Sequence, residues 1–220
     1  ETFPLFRNNG KGQFMEITAP SGMLRASSTM AGYSPTIADF DNDGWKDIFV
    51  SRGHVQATNM ARQIAVDQPN TVFRNLRGTR FSPLTEEAGL TGARRHRGSA
   101  VGDFNHDGKL DVVVSALSAR AELWLNDSPG TAHWIECALE GTKSNRQGIG
   151  ARIKIVSQHG VQYNHATTSV GYASSSAGPV HFGLGPAAAV ELIEVEWPSG
   201  ARQTLRNVAA DRVIRLKEPR

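Results

Sequence analysis

Apolar residues fall in short runs set apart by turn formers, among them Leu5-Phe6, Ile48-Phe49-Val50, Val72-Phe73 and Val112-Val113-Val114. With 22 glycines and 10 prolines between such runs, the pattern predicts many short strands joined by turns, an all-β chain. Residues 2–18 read as two strands around Asn9-Gly10-Lys11-Gly12. The phrase returns: Leu5-Phe6-Arg7-Asn8 matches Val72-Phe73-Arg74-Asn75, and Phe14 with Ile17-Thr18 matches Phe81 with Leu84-Thr85. A partial third copy is Leu123-Trp124-Leu125-Asn126.

Between these phrases lie two acidic stretches of one pattern, each running straight into an apolar strand. Asp39-Phe40-Asp41-Asn42-Asp43-Gly44-Trp45-Lys46-Asp47 precedes Ile48-Phe49-Val50, and Asp103-Phe104-Asn105-His106-Asp107-Gly108-Lys109-Leu110-Asp111 precedes Val112-Val113-Val114. The alternation of hairpin and acidic loop makes a unit of about 65 residues, a length that suits a four-stranded blade better than a helical hairpin. A β-propeller segment is therefore expected over residues 1–128. Residues 53–69 carry an insertion in the first unit that the second lacks, read as a long loop or a turn or two of helix.

After Asn126-Asp-Ser-Pro-Gly130 the acidic loops stop and the texture changes. Strands are expected at 133–140, 151–157, 161–170, 179–183, 190–197, 201–206 and 212–217, with turns at Gln158-His159-Gly160 and Pro198-Ser199-Gly200. Residues 129–220 thus form a second all-β unit, sandwich-like in its strand count.

Carboxylates crowded this closely repel one another unless a cation or proton intervenes. Oxygen-only ligands at alternating positions suit a hard cation, and calcium takes six to eight of them. The first loop offers the side chains of Asp39, Asp41, Asp43 and Asp47, the last possibly bidentate, and the Trp45 carbonyl; the second offers Asp103, Asn105, Asp107, Asp111 and the Lys109 carbonyl. Two Ca2+ sites follow, the first with more charge and so the tighter. Magnesium, which keeps several waters, fits a protein cage less well. A helical calcium hand needs an acid at its twelfth position, where this chain has Val50 and Val114. The loops therefore bridge strands, and Gly44 admits the tight turn.

Net charge is +3, and with acid gathered in the loops the remaining surface is basic. Arg94-Arg95-His96-Arg97 is the densest basic cluster and reads as a solvated loop; no aromatics interleave with it, so nucleic-acid binding is not expected. The lone Cys137, in an alternating run, reads as a small buried side chain. No apolar run approaches the roughly 18 residues of a membrane span. The chain starts at Glu1 with no signal-like segment, which reads as a processed chain or a fragment.

None of the seven histidines stands in a hydrolase signature, and nothing beside Cys137 would activate it. His106 sits at a non-ligand loop position facing solvent, and His181 reads as a hydrogen-bonded structural histidine at a strand end. Gly148-Ile149-Gly150 neither follows a strand nor opens a helix, which excludes a dinucleotide loop and leaves a tight turn, with Arg146 anchoring it or facing a partner.

The two acidic loops, with Pro35-Thr-Ile-Ala38 and Ser99-Ala-Val-Gly102 before them, resemble FG-GAP/VCBS repeats, the calcium-bearing blades of integrin-α-like propellers, over residues 1 to about 128. Asn145-Arg-Gln-Gly-Ile-Gly-Ala-Arg152, His181-Phe-Gly-Leu-Gly185 and Val195-Glu-Trp-Pro-Ser-Gly200 resemble an ASPIC/UnbV domain. Together they are similar to the C-terminal end of a cartilage-acidic-protein-like chain. The resemblance implies further blades upstream of residue 1 and a secreted, periplasmic or cell-surface location. It also implies a calcium-stabilised, non-catalytic binding, adhesion or scaffold module with a protein or polysaccharide ligand. The alternative it carries, from the family's occurrence near enediyne genes, is a component of an enzyme or substrate-binding protein in secondary metabolism or glycan processing.

Overall fold

A computed structural model describes residues 2–55 and 65–220, so the core of the predicted insertion, residues 56–64, lies outside the described residues. The chain begins with the predicted hairpin, β1 (Phe6–Asn8) against β2 (Phe14–Glu16), in antiparallel register Phe6↔Glu16. Its turn closes through side chains that mimic backbone, with Gly10 and Lys11 amides donating to the Asn8 and Asn9 side-chain oxygens at 2.8 Å each. A short helix α1 (Met23–Ser27) follows, which the apolar pattern did not signal. Tertiary contacts hold it: Met23 is buried, and Ser27 Oγ donates to Met23 O while accepting from the Phe3 amide.

The next four strands, β3 (Gly32–Ala38), β4 (Asp47–Arg52), β5 (Thr71–Asn75) and β6 (Phe81–Leu84), form one antiparallel sheet in chain order. The central strand β4 is buried along its whole length, which explains its unbroken apolar run. Its alternation feeds two clusters: Ile48 and Val50 join Met23 and Phe73, while Phe49 points the other way to Phe40, Leu110, Val112 and Val114. The last three of these belong to the following repeat, so each sheet packs on the next. Three strands of that repeat, β7 (His96–Gly102), β8 (Asp111–Ala116) and β9 (Glu122–Trp124), pair antiparallel in the order β7-β8-β9. Ser34 in β3 and Ser99 in β7 bind side by side, Ser99 N and Oγ donating to Ser34 Oγ at 3.1 and 2.9 Å.

The C-terminal part contributes β10 (His133–Glu140), β11 (Arg152–Ser157), β12 (Gly160–His165), β13 (Val180–Gly185), β14 (Ala189–Glu196), β15 (Arg202–Ala209) and β16 (Arg212–Lys217). They make two sheets, β13-β10-β16 and β12-β11-β14-β15, with β10 and β16 parallel. One core lies between them, built from inward residues of both, including Ile135, Cys137, Ile153, Phe182, Ile193 and Trp197. Cys137 is fully buried, as expected, and burial pushes its thiol up to about 12. The chain is therefore all-β with several sheets, and among the described residues none closes into a barrel.

Two local expectations are corrected. The strand expected at 161–170 ends at His165, because the following segment crosses to the N-terminal sheets, where the Tyr172 amide donates to Ser34 Oγ and Ser176 Oγ accepts from the Val101 amide, each at 3.0 Å. The basic cluster is not a solvated loop throughout: His96 opens β7 with no exposed surface, its ring between the Arg52 and Gln68 carbonyls on one side and Glu122 on the other. Arg94 pairs with Glu122, and Arg97 lies over the Tyr33 ring, 4.0 Å from its centroid.

Candidate metal centre

Both acidic loops are hairpin connections, closed by the register pairs Ala38↔Asp47 between β3 and β4 and Gly102↔Asp111 between β7 and β8. Their backbone-to-side-chain hydrogen bonds correspond residue for residue. Asp39 Oδ1 and Oδ2 accept from the Asp43 and Gly44 amides at 3.1 and 2.8 Å, and Asp103 accepts from Asp107 and Gly108 at the same distances. Asp43 Oδ1 accepts from the Trp45 amide at 2.9 Å, and Asp107 Oδ1 from the Lys109 amide at 2.8 Å. Gly44 and Gly108, at φ +87° and +86°, turn the chain where a side chain would be strained.

The closing acids, Asp47 and Asp111, have a second task. Asp47 accepts from the Phe40 and Asn75 amides at 3.1 and 2.7 Å, and Asp111 from the Phe104 and Asn126 amides at 2.8 Å each. Asn75 and Asn126 then return the bond, their side-chain amides donating to Lys46 O at 2.9 Å and Leu110 O at 3.1 Å. These asparagines end the repeated hairpin phrase; the repetition was visible in the sequence, the role was not.

Among the described residues, Asp39, Asp41 and Asp43 form a group of acids whose ligand oxygens all lie within 4.8 Å of one another. Asp41 also pairs with Arg74 at 2.7 Å. Burial, with the neighbouring carboxylates adding, pushes the Asp39 carboxyl up to about 8. Burial likewise raises Asp47 to about 7 and Asp43 above the ordinary carboxylate range. In the second loop Asn105 takes the place of Asp41 and donates to Asp107 Oδ2 at 3.0 Å, and His106 is exposed, as expected. The first loop's three converging acids offer only oxygen and crowd their charges even with Arg74 paired to Asp41, which fits a hard divalent cation.

The C-terminal sheets rest directly on both loops, an arrangement with no signature in the sequence. Gly185 N donates to Asn42 O at 2.8 Å, and His159, in the predicted turn, bonds Asp43 O at 2.8 Å. Asn42 Nδ2 and His181 Nε2 both reach Gly108 O, at 3.0 and 3.1 Å. His181 is the structural histidine expected, stacked on Trp134 and held down to about 4 chiefly by burial. Gly183 lets β13 pass so close that an added Cβ would lie 2.1 Å from Asp39 Oδ2.

Comparison with known proteins follows this division. A model of the "FG-GAP-like repeat" matches residues 2–50 and 63–114, and one of "ASPIC and UnbV" matches residues 141–220. The chain is similar to cartilage acidic protein 1 of Homo sapiens, 27% identical over 223 residues, covering 96% of this chain and 31% of that protein. The Mus musculus and Xenopus tropicalis counterparts are each 26% identical, covering 96% and 89% of this chain. The chain spans 31% of the length of the human and mouse relatives and 38% of the Xenopus one. The chain thus carries FG-GAP-like repeats followed by an ASPIC/UnbV domain, and over nearly its whole length it is similar to cartilage acidic protein 1.

Proposed function

We propose that this chain is a calcium-stabilised, non-catalytic binding or scaffold module working outside the cytoplasm, in which residues 1–128 are blades of a β-propeller and residues 129–220 a separate domain docked on them. The observation that carries the reading is the convergence of Asp39, Asp41 and Asp43, whose charges stay crowded around the buried Asp39 even with Arg74 paired to Asp41. A divalent ion would be held in the first loop by these three, with Asp47 and the Trp45 carbonyl, and in the second by Asp103, Asn105, Asp107, Asp111 and the Lys109 carbonyl. Such an ion supplies charge neutralisation and a fixed loop shape. The chain's own residues do the rest: Asp47 and Asp111 tie each loop to its sheet, and the loop carbonyls seat the C-terminal sheets.

Blade geometry is supported by the packing of each N-terminal sheet on the next, with Phe40 buried against Leu110 and Val112 of the following repeat. An extracytoplasmic setting is supported by the family. No described helix is long and apolar enough to cross a membrane. The test is calorimetric titration of calcium into the chain and into an Asp39→Asn, Asp103→Asn double variant. The reading expects two ions bound by the first and none by the second; no binding by the unsubstituted chain would end it.

A further inference from the structure

The junction between the second loop and β10 contains a carboxylate that nothing so far explains. Along β10, Ile135 and Cys137 point into the C-terminal core, so alternation turns Trp134 and Glu136 the other way. That other way is the second acidic loop. The Trp134 ring covers Gly108 so closely that an added Cβ there would lie 1.9 Å from it. The cross-strand neighbour of Glu136 is His181, which bonds Gly108 O.

Glu136 is 4% exposed, yet among the described residues its carboxylate has neither a hydrogen-bond donor nor a cationic partner. A buried carboxylate ordinarily has one or the other. The charge that acts on it is Asp103, of the same sign; burial first and then that charge push its carboxyl up to about 7. A second acceptor at the same junction is also left over: Asn42 Oδ1 is buried with no donor, although its Nδ2 is engaged with Gly108 O. The second loop, meanwhile, is one carboxylate short of the first, because Asn105 stands where the first loop has Asp41.

We propose that Glu136, reaching across from β10, is a carboxylate of the second cation site, so that the ion held by Asp103 to Asp111 also ties the C-terminal sheets to the loop. This rests on reading the loops as cation sites. It restores the charge that Asn105 forgoes and gives a buried acid the positive partner its surroundings lack. It also makes the second ion a link between two parts of the chain, whereas the first loop is complete within itself.

The test isolates the second site by titrating calcium alone into Asp39→Asn and into Asp39→Asn, Glu136→Gln. The proposal expects the added substitution to weaken calcium binding by about tenfold or more, since affinity in such loops follows the count of charged ligands. In EGTA, Glu136→Gln should melt no lower than the unsubstituted chain, because the isosteric amide removes a buried like charge and leaves the packing alone. Equal calcium affinity in the two proteins overturns the proposal and leaves the loops as cation sites. Failure of Asp39→Asn to bind calcium overturns it too, and failure of the unsubstituted chain overturns the reading of both loops.

Discussion

The contact between β13 and the first acidic loop can be probed at a single atom. In Gly183→Ala the new methyl would lie 2.1 Å from Asp39 Oδ2 and 2.5 and 2.7 Å from the Cα and C atoms of Asn42. Relief requires a movement of about 1 Å, and neither neighbour is free to give it. Asp39 is held by the Asp43 and Gly44 amides, and the Asn42 backbone by the bond from Gly185 to its carbonyl. Overpacking against fixed backbone costs about 1–3 kcal/mol, and losing the Asn42 to Gly185 bond adds about 1 kcal/mol. A total of about 3 kcal/mol lowers the melting temperature of a chain this size by about 6–12 °C. Gly178→Ala is the control, since a Cβ there meets nothing within 4 Å. Calorimetric melting of both variants in calcium is the assay. If Gly183→Ala melts within about 1 °C of Gly178→Ala, the C-terminal sheets do not sit on the loop as described.

Other consequences are open to measurement. Asn126→Ala removes bonds to Phe40 O and Leu110 O at 2.7 and 3.1 Å, and urea denaturation should show a loss of about 2–3 kcal/mol, since both carbonyls lose a donor. Without calcium, the folded chain holds protons on Asp39 and Asp47 up to about pH 8 and 7, whereas the unfolded chain releases them near 3.8. The stability they contribute is complete below about pH 4, falls as pH rises and is gone above about pH 8. Melting in EGTA should therefore drop between pH 5 and 8 by more than it does in calcium, and parallel profiles would count against this origin. The first loop, with four carboxylates to the second loop's three, should bind calcium more tightly when the sites are compared as Asp103→Asn and Asp39→Asn single variants; equal or reversed affinities would remove the argument from charge.

The loops, the hairpin repeats and most C-terminal strands were legible because local pattern determines them. Alternating acids ending at Asp47 and Asp111, with β-branched runs behind them, state a strand-to-strand loop without help from the rest of the chain. The segment 133–140 reads as a strand with its observed limits because Ile135, Cys137 and Leu139 recur at every second position. What could not be read depends on distance. The parallel pairing of β10 with β16, the burial of His96 among groups from three other segments and the crossing of Tyr172 to Ser34 leave no local trace. The junction is harder still, because it is made of main-chain carbonyls and glycines. Gly183 and Gly185 reveal their purpose only when Asp39 and Asn42 are beside them. Glu136 reads as an ordinary polar residue of an alternating strand until the loop that covers it is known.

The central claim is that a bound cation relieves the repulsion built into these loops and thereby stabilises the fold. Scanning calorimetry of the unsubstituted chain in EGTA and in excess calcium tests it most directly. Calcium at about a hundred times its Kd contributes about 2.7 kcal/mol per site, so each occupied loop should raise the melting temperature by about 5–10 °C. The account predicts that rise, together with its loss in the Asp39→Asn, Asp103→Asn double variant. A melting temperature indifferent to calcium in the unsubstituted chain would contradict it.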